Sequence, residues 1–281
     1  MIEFVIIAIL QGFFEWLPIS SSGQVFIVSM NVFGFTAEEA YSLAIWLHLG
    51  TTLAVLLKFR KDFIKIFKSF IPKTFSIDEK DIKKRNWLIY ATIGTGITAI
   101  PLYIIFKLII SDAFVAFQGD IITLIISGLL IITGIILLKS RKIYGINTIE
   151  DIQLKNIKKD SFFSGLIQGT SILPGISRSG VTVTTILLEK YDQDNALKLS
   201  FLMSVPVALA SIAVDILFGG AQILSLINPL SIVIAMFISF LVGYLTIGIL
   251  LYVAQKINFG YFCIIYGVIA YVVILPFIIV V

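Results

Sequence analysis

Six stretches of roughly 20 mostly apolar residues recur along this chain, and they limit its fold more than any other feature. A helix of that length crosses a hydrocarbon core of about 30 Å. The stretches lie near 40–59, 87–110, 114–138, 196–218, 229–253 and 259–280. The sequence therefore predicts an all-α polytopic membrane protein in which residues 1–281 form a single integral membrane domain.

Composition supports this interpretation and excludes several other classes. Of 281 residues, 58% are hydrophobic and 14% are charged, and the mean hydropathy is +1.04. Such a chain is neither a water-soluble globule nor a disordered segment. A formal net charge of +4 is too small to indicate a nucleic-acid partner. The single cysteine, Cys263, excludes an internal disulfide framework.

Two further apolar regions, 2–34 and 161–188, are interrupted by polar and helix-breaking residues. The first is broken by a Gln-Gly pair and a Pro/Ser/Gly cluster, and the second by a similar series. Neither region reads as one continuous helix. We expect each to form a re-entrant helical hairpin, so that the fold has six transmembrane helices and two re-entrant hairpins.

The distribution of lysine and arginine predicts the orientation. The segments 60–86 and 139–160 carry most of the basic residues, and two spans separate them, so both lie on one face. The turns around Glu38, Asp112 and 219–228 carry no lysine or arginine. By the positive-inside rule the basic face is cytoplasmic.

The two interrupted regions resemble each other in sequence. Gln11-Gly12 recurs as Gln168-Gly169, and an isoleucine, two serines and a glycine that follow also match, at a constant offset of 157 residues. Three spans lie between the copies, and an odd number inverts the second copy. The sequence therefore predicts an inverted-topology repeat, approximately 1–59 and 158–218, whose broken segments meet near the bilayer midplane.

Each break contains a charge that is costly at bilayer depth. Glu15 lies in the first apolar region and Arg178 in the second. A charge there costs at least about 2.5–3.5 kcal/mol on insertion scales, so both side chains should face a cavity, a shared ligand or each other. The plain structural alternative for Arg178 is an interhelical ion pair with Glu15.

Hydroxyls and glycines flank both charges. Glycine lets backbone N–H groups approach an anion, hydroxyls add neutral donors, and arginine adds a forked donor suited to phosphate. A helix beginning just past each cluster would point its positive end at the same place. Together these groups predict an oxyanion cradle, and its place in the membrane indicates a lipid phosphate as the substrate. The residues expected to line it are Ser20, Ser22, Gly23, Gln24, Ser177, Ser179, Gly180 and Thr182.

Glu15 has two possible chemical roles. It follows Gln11 by four residues, so both share a helix face and could hold a hard divalent cation that neutralises a diphosphate. Alternatively, Glu15 is a base that activates Ser21 as a nucleophile. The residue pattern leaves both routes open.

These motifs resemble those of the undecaprenyl-diphosphate phosphatase family of the bacitracin-resistance type. The similarity extends from end to end of the chain, and the second motif is highly specific. The segments that carry it are Gln11-xxx-Glu15 with Leu17-Pro18-Ile19-Ser20-Ser21-Ser22-Gly23, Leu47-His48-Leu49-Gly50-Thr51-Thr52-Leu53-Ala54-Val55, Pro174-Gly175-Ile176-Ser177-Arg178-Ser179-Gly180-Val181-Thr182 and Phe201-Leu202-Met203-Ser204-Val205-Pro206.

The resemblance implies a multi-pass enzyme of the cell membrane with its active-site mouth toward the outer face. Its expected reaction converts a C55 polyprenyl diphosphate to the monophosphate and inorganic phosphate, which recycles the lipid carrier for cell-envelope glycan synthesis. A divalent cation, Mg²⁺ or Ca²⁺, is the implied cofactor. Carried over by position, Glu15 with Gln11 serves catalysis and the metal, Ser21 is the nucleophile and Arg178 holds phosphate.

One position departs from the family pattern. Many members have histidine directly after the first serine-glycine cluster, where this chain has Gln24, which does not titrate. The only histidine, His48, is the candidate for the missing proton relay, with hydrogen-bonded packing as the alternative. The competing function is transport, because a lipid-phosphate flippase would also use a cavity between inverted repeats.

Overall fold

The computed structural model describes residues 1–71, 78–116, 119–140, 145–218, 228–256 and 259–280. Within these ranges nearly all regular structure is helical, apart from one isolated bridge between Asn147 and Tyr191. The helices are α1 (Ile2–Phe14), α2 (Ser21–Asn31), α3 (Ala37–Lys58), α4 (Arg60–Lys68), α5 (Glu79–Ala116), α6 (Gly119–Ser140), α7 (Leu154–Gly169), α8 (Arg178–Leu188), α9 (Gln193–Phe218), α10 (Pro229–Lys256) and α11 (Phe259–Val280).

Six of these helices have the length needed to cross a bilayer. The helices α3, α6 and α11 have 22 residues each, or about 33 Å at 1.5 Å per residue, and α5, α9 and α10 are longer. Four of the six, α3, α5, α9 and α10, also contain long, strongly apolar windows among the described residues. The predicted all-α polytopic membrane fold is confirmed.

Two predicted boundaries were wrong. Asp112 does not lie in a turn, because α5 continues to Ala116. An isolated Ser-Asp pair does not end a helix, and the first glycine after it is Gly119, where α6 begins. The basic segment 60–86 is also not a simple loop, since it contains α4 and the first turns of α5. Of the predicted turn at 219–228, only residue 228 lies within the described residues.

The interrupted regions form two short helical hairpins, α1–α2 and α7–α8. Their helices have 11 to 16 residues, or about 16–24 Å, which is less than the hydrocarbon thickness. Pro18 helps end the first helix, because proline lacks an N–H group and disfavours helical geometry in the residue before it. The first break passes through Ser20 at φ 58°, and the second through Gly175 at φ 99°.

Small residues let α7 pack closely against α5. A Cβ added at Gly165 would lie 2.1 Å from the Ala91 carbonyl oxygen, and one at Gly169 would lie 2.8 Å from the Thr95 carbonyl oxygen. The spacing of four residues is typical of close helix contacts in membranes. In the same way, Gly12 places α1 against α10, where an added Cβ would lie 2.8 Å from the Ser239 carbonyl oxygen.

The helices pair in a pattern that relates the two halves of the chain. Helix α1 packs on α10, and α7 packs on α5, while α3 meets α9 and α6 meets α11. If each helix of the first half is exchanged with its counterpart in the second half (α1 with α7, α3 with α9, α5 with α10 and α6 with α11), the same pairs result. A two-fold relation between inverted repeats requires this. The repeat and its bounds stay a prediction.

The ends of several helices at the basic face are joined by ion pairs. Asp62 on α4 lies 2.5 Å from the Lys84 Nζ of α5 and 3.0 Å from the Lys198 Nζ of α9. Burial opposes ionisation of this carboxyl, but the two ammonium groups outweigh that effect and lower its pKa. These contacts hold α4, α5 and α9 together.

A second acidic group lies at the base of the α7–α8 hairpin. Ser164 donates to Glu189 over 3.1 Å, and the Tyr191 hydroxyl donates to Asp160 over 3.1 Å. Burial, and secondly the Asp160 charge, raise the pKa of Glu189 to about 8. This carboxyl is therefore largely protonated at neutral pH.

Candidate active site

The two helix breaks enclose a cavity of about 110 Å³. Helices α3, α5 and α9 complete its wall. The residues with polar side chains that line it are Glu15, Ser20, Ser21, Ser22, Tyr41, His48, Thr95, Gln168, Ser171, Ser177, Arg178, Ser179 and Ser211. The structure thus brings together both charges and most of the hydroxyls predicted from the sequence, although they are separated by more than 150 residues.

Glu15 lies at the centre of the polar contacts. It is 4% exposed and is the residue at the C-terminal end of α1. Its Oε2 accepts hydrogen bonds from Gln11 Nε2 and Ser21 Oγ, both at 2.8 Å, while its Oε1 accepts one from Arg178. A buried carboxylate with donors on both oxygens is held in one orientation.

Arg178 is the first residue of α8 and reaches across to the other hairpin. Its Nη2 donates to Glu15, so the ion pair considered from the sequence is present. A guanidinium has five N–H donors in a planar fork, and the side chain is 17% exposed. The pair therefore leaves Arg178 with donors for an anion in the cavity.

The three serines of the first cluster have different roles. The Ser21 hydroxyl donates to Glu15, Ser20 Oγ is buried and has no hydrogen-bond partner among the described residues, and Ser22 lines the cavity. Helix α2 begins at Ser21 and has no side-chain cap at Ser20. The N–H groups of its first turn have no intrahelical partners and are available to an anion. The sequence predicts a helix that begins after the serine cluster, whereas α2 begins within it.

Ser20 also adopts an unusual backbone conformation. Its φ of 58° and ψ of 76° fall in the left-handed region, which costs a residue with a side chain of order 1–3 kcal/mol. Such conformations concentrate at functional sites. At Ser20 it lets the chain turn directly from Ile19 into α2, which places Ser21 over Glu15.

His48 approaches Glu15 from α3. Its Nδ1 lies 2.5 Å from the Ala44 carbonyl oxygen, which can only accept, so Nδ1 carries a hydrogen. Its Nε2 lies 3.3 Å from Glu15 Oε2. That oxygen also accepts from Ser21, so Ser21, Glu15 and His48 form a continuous path for a proton.

The second cluster consists of Ser177, Ser179, Gly180 and Thr182. It stabilises the start of α8 and also supplies part of the cavity wall. Ser177 Oγ caps α8 by accepting from the Gly180 N–H at 3.1 Å, and Ser179 Oγ donates to the Leu17 carbonyl at 3.2 Å. Thr182 Oγ1 donates to the Arg178 carbonyl at 2.7 Å. Gly180 and Thr182 do not belong to the cavity wall. These bonds hold the α8 N-terminus against the first break.

Gly23 and Gln24 lie behind the cavity wall rather than in it. A Cβ on Gly23 would lie 2.9 Å from the Gly175 nitrogen, so this glycine permits contact between the two breaks. The Gln24 side chain is 2% exposed and donates to the Ile19 carbonyl over 3.0 Å. In this chain Gln24 therefore satisfies a carbonyl freed by the break.

Several polar residues of the cavity are not predicted from the sequence. Thr95 lies on α5, Ser211 on α9, and Gln168 and Ser171 near the end of α7. Gln168 could have been found, since it occupies the same place in the second hairpin as Gln11 in the first. Thr95 and Ser211 carried no local signal, because single hydroxyls are common in membrane helices.

The donor set can be compared with what a divalent cation requires. No group of three His, Cys, Asp or Glu side chains that could hold an ion occurs among the described residues. Glu15 offers one carboxylate, and the Oε1 of Gln11 is buried and accepts no hydrogen bond from the described residues. One or two protein oxygens completed by substrate phosphates suit Mg²⁺, so Glu15 fits an ion that is bound together with a diphosphate. Gln11 is 0% exposed and lies outside the cavity wall, so its Oε1 would add a second oxygen only from behind Glu15.

Comparison with known proteins agrees with this geometry. Residues 4–272 match the model of a family described as bacitracin resistance protein BacA. A protein of Methanococcoides burtonii named undecaprenyl-diphosphatase is 37% identical over 95% of this chain and 96% of its own length. Proteins of the same name from Methanothrix thermoacetophila and Methanopyrus kandleri are 37% and 34% identical and cover 95% and 96% of this chain, and 94% of their own lengths.

Proposed function

This chain belongs to the bacitracin resistance protein BacA family, and on that premise we propose that its cavity hydrolyses an undecaprenyl-type polyprenyl diphosphate to the monophosphate and inorganic phosphate. The observation that carries the proposal is the Ser21 hydroxyl, which donates to Glu15 at 2.8 Å in a wall that also presents Arg178. A nucleophile, a base and a cation for phosphate converge there.

The rest of the cavity wall suits a lipid substrate. Apart from the polar cluster it is mostly apolar, and the residues that form this part are Leu17, Phe26, Ala44, Ile45, Ala99, Ile172, Pro174, Ile176, Val207 and Ala208. Such a surface can contact the first isoprene units while the diphosphate lies among the hydroxyls. A free, water-soluble phosphate ester would gain nothing from it.

The first chemical step follows from the contacts of Glu15. Its Oε2 takes the Ser21 proton as Oγ attacks the terminal phosphorus, the bond to the bridging oxygen breaks, and the polyprenyl monophosphate departs. Arg178 and the free N–H groups of α2 bind the phosphoryl oxygens, where charge develops. His48 accepts or returns the proton through its Nε2, which takes over the relay expected of the family histidine.

Water completes the reaction by attacking the phosphoserine. The Ser21 Oγ leaves and regains its proton from Glu15, and the phosphate departs with both hydrogens of the water. A divalent cation held by Glu15 and the Gln11 Oε1 would neutralise charge on the diphosphate. Glu15 would therefore serve both as the base for Ser21 and as a ligand of the cation, which are the two roles that the sequence left open.

We place the cavity mouth at the outer face of the plasma membrane, where it would recycle the lipid carrier of envelope glycan synthesis. Cavity residue Tyr41 lies in the first half of α3, which starts at the face with few basic residues, and His48 lies at the middle of the helix. Val207 and Ser211 lie in the second half of α9, which ends at that face. By the positive-inside rule this face is external.

Hydrolysis is tested with purified protein in detergent, where no vectorial transport contributes. We expect inorganic phosphate from undecaprenyl diphosphate, no release by Ser21→Ala, and near-normal release by Ser29→Ala. Ser29 is a matched control because it is buried on the same helix but lies outside the cavity wall. Wild-type protein without phosphate release would overturn the proposal and leave lipid transport as the alternative. Dolichyl diphosphate in a parallel assay defines the chain preference.

Orientation is tested with single cysteines in a Cys263→Ala background. A cysteine replacing Glu39 should react with an impermeant thiol reagent outside intact cells, and one replacing Lys80 should not. Cys263 is the only native cysteine and its thiol is buried. Its removal ensures that any labelling comes from the introduced cysteine. Labelling of the Lys80 position alone would invert the orientation and place the reaction at the cytoplasmic face.

A further inference from the structure

Gln168 presents a buried hydrogen-bond acceptor that the reaction steps above do not use. Its side chain lines the cavity, the residue is 1% exposed, and its Oε1 has no hydrogen-bond partner among the described residues. A buried acceptor that is left unsatisfied destabilises the folded state. Such an atom beside a substrate cavity indicates a ligand that donates a hydrogen.

Thr95 determines which way the Gln168 amide points. The Thr95 hydroxyl donates to the Ala91 and Gly165 carbonyls, at 2.8 and 3.0 Å. Since carbonyls only accept, Thr95 Oγ1 is left as an acceptor for Gln168 Nε2, which lies 3.0 Å away. The amide nitrogen therefore faces Thr95, and Oε1 is the atom left for the cavity.

The backbone around Gln168 is rigid. Gly165 and Gly169, on either side of it in α7, both contact the α5 backbone so closely that neither position admits a Cβ without movement. Ser171 Oγ further donates to the Gln168 carbonyl at 2.7 Å. An acceptor on such a support is pre-organised, and pre-organised polar groups are the ones that contribute most to catalysis.

The chemistry of the cavity limits what this acceptor can bind. An amide oxygen repels the unprotonated oxygens of a phosphate, and it does not serve a leaving oxygen on which negative charge develops. Water donates to it readily. An amide oxygen that accepts from water while the water attacks phosphorus is a known arrangement in phosphoryl transfer.

We propose that Gln168, held by Thr95, accepts a hydrogen bond from the water that attacks the phosphoserine, and so acts in the second step of the reaction. The water oxygen forms the new bond to phosphorus, the bond to Ser21 Oγ breaks, and Ser21 recovers the proton that Glu15 took in the first step. The inference rests on the proposed function and adds to it a residue specific for dephosphorylation.

The test separates the two chemical steps. With substrate labelled in the terminal phosphate and rapid acid quenching, we expect Gln168→Met to lower steady-state phosphate release about 10²–10³-fold, the usual effect of losing one such polar group. Because the first step continues, phosphoserine should accumulate toward one per protein.

Thr95→Val should show the same accumulation of phosphoserine with a smaller loss of phosphate release, and Thr92→Val should behave as wild type. Thr92 is a matched control on α5, because its hydroxyl donates to the Leu88 carbonyl and the residue lies outside the cavity wall.

Each other result overturns a defined part of the inference. If Gln168→Met slowed both chemical steps equally and no phosphoserine accumulated, the role of Gln168 would be structural. A raised KM with unchanged phosphoserine would mean that Gln168 binds a protonated phosphate oxygen of the substrate. If wild-type protein releases no phosphate, the proposed function fails, and this assignment fails with it.

Discussion

Replacing Arg178 by lysine tests whether the forked donor, rather than the charge, is what the reaction needs. In the structure one guanidinium nitrogen donates to Glu15, and the remaining N–H groups are available to a phosphate. A lysine ammonium carries three donors on a single nitrogen. If it keeps the contact with Glu15, it loses the planar geometry that fits a phosphoryl group.

The expected magnitude follows from that loss. Removing one donor to developing charge in a buried site costs about 10²–10³ in rate, or about 2.7–4 kcal/mol, and we expect a decrease of this size in kcat/KM for Arg178→Lys. Folding should change little, because the Glu15 carboxylate keeps a cation. In Arg178→Gln the same carboxylate is buried without one, so we expect this variant also to unfold at a lower temperature.

The assay is phosphate release in detergent together with thermal unfolding of the same samples. Arg85→Lys is the matched control, since Arg85 donates to the Ser69 carbonyl at the basic face, away from the cavity. We expect it to keep its activity. Turnover of Arg178→Lys within a few-fold of wild type would refute the reasoning and reduce Arg178 to an ion-pair partner of Glu15.

Four further predictions follow. Glu15→Gln should lose hydrolysis by about 10²–10⁴-fold while gel filtration shows folded protein, because an amide neither takes the serine proton nor offers a charge to a cation; retained activity would assign Glu15 to packing. His48→Ala should slow phosphate release, because the proton path from Ser21 through Glu15 then lacks its third member; an unaltered rate would make the contact with Glu15 structural. The raised pKa of Glu189, about 8, means that the folded state binds a proton that the unfolded state releases above about pH 4.5, so thermal stability should fall as pH rises from about 4.5 to about 8. Glu189→Gln should remove much of that slope, and a slope unchanged by the substitution would contradict the assignment. Gly50→Ala should lower stability by about 1–3 kcal/mol, since its Cβ would meet the Met236 carbonyl, and an unchanged unfolding temperature would show that α3 and α10 can separate at little cost.

The sequence by itself determined the membrane fold and the location of the site. Apolar runs long enough to span a bilayer are a local property of the chain, because each backbone group in lipid must be satisfied within its own helix. The breaks at Pro18 and Gly175 are equally local, since they depend on the backbone of single residues. That Glu15 and Arg178 would share one cavity also followed, because neither charge is tolerated facing lipid.

The tertiary structure decided which groups meet in that cavity. The sequence proposed Ser21 among three adjacent serines, and the turn at Ser20 shows how the Ser21 hydroxyl comes to donate to Glu15. His48 reaches Glu15 while Gln24 turns to a backbone carbonyl, because these orientations depend on how α3 packs beside the first break. The orientation of the buried Gln168 oxygen depends in turn on Thr95, 73 residues earlier in the chain. Hydrogen-bond partners of this kind are set by the packing of distant helices, which no local sequence pattern records.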